Sequence, residues 1–188
     1  MKFKAALLMW VAVSGLAGCA GSGPSGTLAR TFDLGTSVPA VQLTAARLGL
    51  VRAVEPFDSL DMAYRLAYQD AGEISAFTQS RWAAPPAVML RTRLARAAAP
   101  VTGAHCTLDL EVLEFSQLFD TRDSSQVMIE VRAVLSDAAA RVHARSFRVV
   151  EGSAGSAAAS GAVAMSRAAD KLIGELASWS SQQQICRP

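Results

Sequence analysis

With 188 residues, about half of them apolar, the chain has the size of one folded domain with a substantial core, and its composition is not that of a disordered segment. Its 18 basic and 16 acidic residues give a formal charge of +2; removal of residues 1–18 takes Lys2 and Lys4 with it and leaves 16 against 16, a net charge of zero. A neutral surface argues against nucleic acid as a partner and against a broad anionic face.

At the front of the chain, Lys2 and Lys4 precede an apolar run from Ala5 to Val13. This run is too short to span a bilayer and is shaped like the middle of a secretory signal. It leads into Leu16-Ala17-Gly18-Cys19, which resembles a bacterial lipoprotein signal. The resemblance implies residues 1–18 as a signal peptide, cleavage before Cys19, a diacylglyceryl group on its thiol and a further acyl chain on the freed amine. One chain, at about 0.8 kcal/mol per buried CH₂, holds a membrane only marginally, whereas two or three together anchor stably. The alternative is an ordinary signal with an incidental cysteine. Position 20 is Ala and not the Asp that retains Gram-negative lipoproteins at the inner membrane, so the signal implies the periplasmic face of the outer membrane. Residues 19–30 are then a lipidated N-terminus and flexible tether, Gly- and Ser-rich from Ala20 to Thr27, with a reach of roughly 15 Å. The folded domain is expected over 31–188.

That domain opens with a short edge-like strand, Thr31 to Gly35. Leu48, Leu50 and Val54 alternate with Gly49, Val51 and Ala53 until Pro56, which predicts a second strand. Met62, Tyr64, Leu66 and Tyr68 recur at period two, Asp70-Ala71-Gly72 supplies a turn, and Glu73 to Trp82 can return as an antiparallel partner. Pro85 and Pro86 suit a first helical turn, with Ala87, Leu90, Leu94 and Ala98 on one face, Arg93 and Arg96 on the other, and Pro100 as the stop. Leu108, Leu110 and Val112 alternate with Asp109 and Glu111, then slip in phase to Leu113 and Phe115 as a bulge would cause. Beyond a polar loop from Asp120 to Ser125 come Val127 to Leu135, a turn near Asp137, and a strand through Val142, Ala144 and Phe147 to Val150, together a meander. After a Ser, Ala and Gly loop over 152–161, a final helix buries Ala162, Met165, Ala169, Leu172, Ile173, Leu176 and Trp179 and shows Arg167, Asp170, Lys171 and Glu175 to solvent. The pattern predicts an α+β fold: a two-layer domain, mainly antiparallel sheet, with two principal helices packed on one face.

The search for reactive groups is short. His105 and His143 have no metal-ligand neighbour at helical or turn spacing, and Asp109 with Glu111 reads as a solvated strand face before it reads as a carboxylate pair. No nucleophile elbow, zinc-protease motif or Cys-x-x-Cys is present, so neither catalytic residues nor a metal or cofactor is expected. In an exported chain Cys106 and Cys186 are read as a disulfide pinning the tail to the sheet, with a buried free Cys106 and a loose Cys186 as the alternative. Arg81-Trp82 is either a cap on the core or a surface anchor, since Trp and Arg are enriched at interface hot spots. Trp179, by its register, belongs to the core.

Phe32-Asp33-Leu34-Gly35, Ala63-Tyr64-Arg65, Ser80-Arg81-Trp82-Ala83-Ala84-Pro85-Pro86 and the helix through Leu90 and Leu94 together resemble the ABC-type transport auxiliary lipoproteins. Better-known members of that family are outer-membrane partners of paraquat-inducible MCE proteins. Leu110 to Phe115 and the Ala-rich helix through Leu172 and Leu176 match in character, while Ala84-Pro85-Pro86 only approximates the family's segment. The resemblance implies a non-catalytic component of an envelope lipid-transport system that docks an MCE-domain protein to the outer membrane. Tyr64, Arg65, Arg81 and Trp82, the best-matching residues, would contribute to the docking surface, with Arg65 and Arg81 brought together by the hairpin. Two other readings stand beside it: a carrier with an apolar lipid pocket between helices and sheet, and an assembly lipoprotein of an outer-membrane barrel. Self-association into a homo-oligomer is left open.

Overall fold

The computed structural model describes residues 28–98 and 106–186, so Cys19, the tether and His105 lie outside the described residues. Seven strands form one mixed sheet that carries two helices on one face. In chain order these are β1 (Arg30–Phe32), β2 (Ala46–Ala53), β3 (Asp61–Leu66), β4 (Ser75–Trp82), α1 (Pro86–Ala97), β5 (Cys106–Phe119), β6 (Ser125–Asp137), β7 (Val142–Gly152) and α2 (Ala158–Gln182), with a 3₁₀ turn at Gln184–Cys186.

The sheet runs β1-β4-β3-β5-β6-β7, and β2 also pairs with β5. At 14 residues β5 is long enough to take two short strands end to end along one edge. Ala46 to Ala53 lie parallel to its first half and Ala63 to Leu66 parallel to Ser116 through Phe119. The β3–β4 hairpin and the β5-β6-β7 meander are antiparallel, as the alternation predicts, and the two meander ladders are the longest in the sheet.

Period two sorts the side chains. Cys106, Leu108, Leu110 and Val112 of β5 and Val127, Ile129, Val131, Ala133 and Leu135 of β6 are all buried beneath the helices. A register shift between Val112 and Glu114 then moves Phe115 into the inward position, the bulge that the sequence implied. Above this floor α2 lays down Ala162, Met165, Ala169, Leu172, Ile173, Leu176 and Trp179 at helical spacing, all buried. Each large side chain so buried is worth roughly 1.5–3 kcal/mol relative to exposure. Gly161 allows α2 to approach closely: a Cβ there would stand 2.1 Å from Gln117 Oε1 of β5. Pro86 occupies the first turn of α1, and the helix stops where Ala98 turns extended and Leu43 N donates to Ala97 O at 2.9 Å.

Several expectations are corrected. Leu50 does not share a face with Leu48: a shift in the β2–β5 register turns it out to 58% exposure, and Val51 takes the inward place. Asp109 holds this shift: its Oδ1 accepts from Leu50 N at 2.6 Å and lies so close over Gly49 that a Cβ there would displace the carboxylate. Arg93 is not on the outer face of α1 but 1% exposed, gripping Asp170 of α2. The last helix starts at Ala158, inside the stretch expected to be loop, and Tyr68 lies beyond the end of β3. Among the described residues no helix is long and apolar enough to cross a membrane.

Candidate docking surfaces

The four residues read as a docking cluster are distributed over both sides of the sheet. Trp82, at the end of β4, is 2% exposed and meets Phe115 edge to face at 5.4 Å, so it caps the core instead of anchoring a partner. Its Nε1 has no hydrogen-bond partner among the described residues. Tyr64 points to the same side and joins Phe77 and Phe119 in an aromatic cluster with centroids 4.8 and 5.8 Å away. Arg65, its neighbour, lies on the helix-free side: Nη2 meets Glu114 Oε2 at 2.8 Å and Nη1 donates to the carbonyls of Ala71 and Gly72, which ties the hairpin turn to β5. Arg81 is exposed and reaches only Thr31 Oγ1, at 3.4 Å. The hairpin does not unite the two arginines. Asp61 pairs with Arg81 and Tyr64 with Ser75, so they stand at opposite ends of it.

The helix-free face is instead organised by cross-strand charge. One row runs Arg65, Glu114, Glu130, Arg148, with Glu114 and Glu130 in register and each held by an arginine, the latter pair at 2.7 Å. A second row runs Arg52, Glu111, Arg132, with Arg52 and Glu111 at 3.0 Å. Signs alternate from strand to strand in the second row, and in the first the facing Glu114 and Glu130 are each offset by an arginine, so neither row presents one uniform charge to a partner. A shallow depression of about 350 Å³ lies beside this second row, walled by Leu50, Asp109 and Val134. Asp109 is occupied by the β2 bulge and Glu111 by Arg52, so the two carboxylates are structural.

Imidazole Nδ1 of His143 sits 2.9 Å from Gln183 Oε1, with no carboxylate or thiol in the pairing. Among the described residues no group of three His, Cys, Asp or Glu side chains could hold a metal. Cys106 and Cys186 are bonded as a disulfide, with Cα atoms 5.0 Å apart, joining the start of β5 to the turn after α2. Partial burial raises the Asp137 carboxyl, but bonds and charge from Arg141 and the amides of Arg141 and Ala139 outweigh it and hold the pKa below its ordinary value.

Two features escaped the sequence reading. The first is the Arg93–Asp170 pair: Nε and Nη2 of Arg93 each lie 2.7 Å from a carboxylate oxygen, while the same guanidinium reaches Leu34 O and Ser37 Oγ, so it binds α1, α2 and the segment after β1 together. The available signal was weak: Arg93 stands three residues from Leu90, on the flank of the apolar stripe. The second is β7, an eleven-residue strand paired on one side only, with β6.

No family model and no curated protein matches the chain. Solved structures do. A protein from Xanthomonas campestris of the family DUF330 superposes with a TM-score of 0.68 at 24% identity, over 82% of this chain and 98% of that one. A second, described as uncharacterized, reaches 0.63 at 13% identity over 81% and 98%. A chain from Caulobacter crescentus described as a candidate lipoprotein overlaps 52% of this chain and 84% of its own at 22% identity, with a TM-score of 0.31, too low to indicate a common fold. What the first two share with this chain is the fold.

Proposed function

We propose that the chain is a lipid-anchored, non-catalytic docking component of an envelope lipid-transport system, holding the MCE-domain protein of an ABC transporter at the periplasmic face of the outer membrane. The observation that carries this reading is Leu16-Ala17-Gly18-Cys19 ahead of a domain whose Ala63 to Leu94 segment resembles the transport auxiliary lipoproteins. That segment builds β3, β4 and α1, a contiguous corner of the fold. The fold shared with a DUF330 protein supports the reading, and so does a helix–sheet interface filled by Leu90, Leu94, Leu108, Leu172 and Ile173, which suits an adapter better than a carrier that must open a lipid pocket there.

An adapter requires two things of its physics: an anchor that does not let go, supplied by two or three acyl chains at Cys19, and a rigid body that presents a partner with a fixed surface. The test is co-purification from detergent-solubilised membranes with the MCE protein. Cys19→Ala should abolish labelling by a palmitate analogue and leave uncleaved precursor, and Ala20→Asp should move the protein to the inner-membrane fraction. Normal labelling of Cys19→Ala would end the lipoprotein reading. Recovery of phospholipid one-to-one from the purified protein, with no MCE protein captured, would replace the adapter with a carrier.

A further inference from the structure

Sheet edges expose unpaired amides and carbonyls, and proteins blunt them with short strands, prolines, bulges or lysines. At one end of this sheet β1 is three residues long, a blunted edge. At the other, β7 runs eleven residues in unbroken register with β6, without proline or bulge and with Arg145, Arg148 and Glu151 as its charged side chains. The outward groups can be assigned. Ser153 N donates to Ser125 O at 3.0 Å and Asp137 N to Arg141 O at 3.2 Å, so at both ends of the ladder the odd-numbered residues on the β7 side form the bonded pairs. Alternation then turns the amides and carbonyls of Ala144, Ser146, Arg148 and Val150 outward.

The surroundings select the occupant. On the helix side of the edge, a groove along α2 is bordered by Arg145, Phe147, Lys171 and Trp179. Arg145 lies over the Phe147 ring, 4.9 Å from its centre, and has no acidic partner among the described residues. Lys171 is engaged by Glu151 at 3.2 Å, and this is the one acidic residue of β7. Asp137 engages Arg141 and Glu130 engages Arg148, while of the groove's carboxylates Asp170 is held by Arg93 and Glu175 remains, so Arg145 is the cation of this edge left to meet an incoming carboxylate. We propose that β7 is a strand-addition site for an extended acidic segment of a partner protein. Main-chain hydrogen bonds to Ala144, Ser146, Arg148 and Val150 supply the affinity, and a carboxylate opposite Arg145 with an apolar side chain two positions away, beside Phe147 and Trp179, supplies the selectivity. A second copy of β7 would offer Arg145 only Glu151, which Lys171 already engages, and this favours a different partner with a free carboxylate.

The proposal rests on the docking reading above but can fail separately from it. The probe is a fluorescein-labelled ten-residue peptide of alternating threonine and valine with one Glu-Thr-Phe step, titrated by anisotropy against the lipidated full chain in detergent. Ser146→Pro removes an outward amide and leaves the β6 ladder intact, as edge prolines do. It should weaken binding at least about tenfold with melting unchanged, and Arg145→Glu should reverse a preference for the Glu peptide over its Lys counterpart. A peptide N-methylated at alternate amides should fail to bind the unaltered chain, which tests the same bonds without any protein variant. No binding by the unaltered chain, equal binding by Ser146→Pro, binding by the methylated peptide, or a dimer that Ser146→Pro dissolves would each overturn the proposal. If the MCE protein is captured equally by wild type and Ser146→Pro, the docking reading survives and the edge is not its site. If wild type captures none while the peptide results hold, the edge stands and the MCE assignment falls.

Discussion

Breaking the Arg93–Asp170 pair from its two ends should have unequal effects. Asp170→Ala leaves a guanidinium that is 1% exposed with two of its bonds gone, keeping only Leu34 O and Ser37 Oγ. Stranding a buried charge typically costs 3–5 kcal/mol; because the Asp170 side chain is 40% exposed, water can take part of its place, and we expect about 2–3 kcal/mol. Arg93→Met removes the charge but keeps an apolar stem. Asp170 then returns to solvent, and Leu34 O still accepts from Ser166 Oγ at 2.7 Å, so no buried acceptor is stranded and the cost should be nearer 1 kcal/mol. For a domain of this size the difference corresponds to roughly 2–8 °C in Tm, within reach of differential scanning fluorimetry or calorimetry. The double variant should melt close to Arg93→Met alone. If Arg93→Met proves at least as destabilising as Asp170→Ala, the pair holds the helices by attraction beyond its desolvation cost and the reasoning fails.

Other expectations follow from the same structure. The Cys106–Cys186 bridge spans 80 residues, for which chain entropy gives about 4 kcal/mol, so Cys186→Ser should melt well below the oxidised protein and resemble it under reductant; two alkylatable thiols in protein taken directly from the periplasm would show that the bridge does not form. Trp82→Ala should cost about 3–5 kcal/mol in stability, with partner capture retained by the folded fraction, whereas lost capture at unchanged melting would return Trp82 to a surface role. The folded-state pKa of Asp137 is depressed, so its contribution is full above the ordinary 3.8 and is lost as pH falls through the lower folded value; Asp137→Asn should flatten the melting profile in that acid range, and an unchanged profile would count against the Arg141 contacts.

The meander and α2 were legible because their side chains repeat at 2.0 and 3.6 residues with few interruptions, and each pattern is enforced by a single buried face. What the pattern could not convey depends on residues far apart in the chain. Leu50 leaves its expected face at a shift held by a carboxylate 59 positions away, and Arg93 is buried because Asp170, 77 positions on, accompanies it. Local spacing made both arginines of the hairpin look like neighbours, but Arg65 follows Tyr64 beside the turn while Arg81 pairs with Asp61 at the far end. Trp82 was ambiguous between core and surface until β1 and Phe115 were seen to close over it, with Phe32 in register beside it. The β7 edge was not visible at all, since whether a strand is flanked on one side or two is a property of the sheet order.

The disulfide gives the molecule a covalent topology that its chain order hides. Residues 106–186 form a closed loop containing β5, β6, β7 and α2, and the first half of the domain joins that loop through the single peptide bond preceding Cys106. Exposed turns such as 120–124 and 138–141 are where proteases nick first, and both lie inside the loop. One cut in either turn therefore releases no fragment: the pieces remain linked through sulfur, and dismantling this half of the protein requires two cuts, or one cut and a reductant.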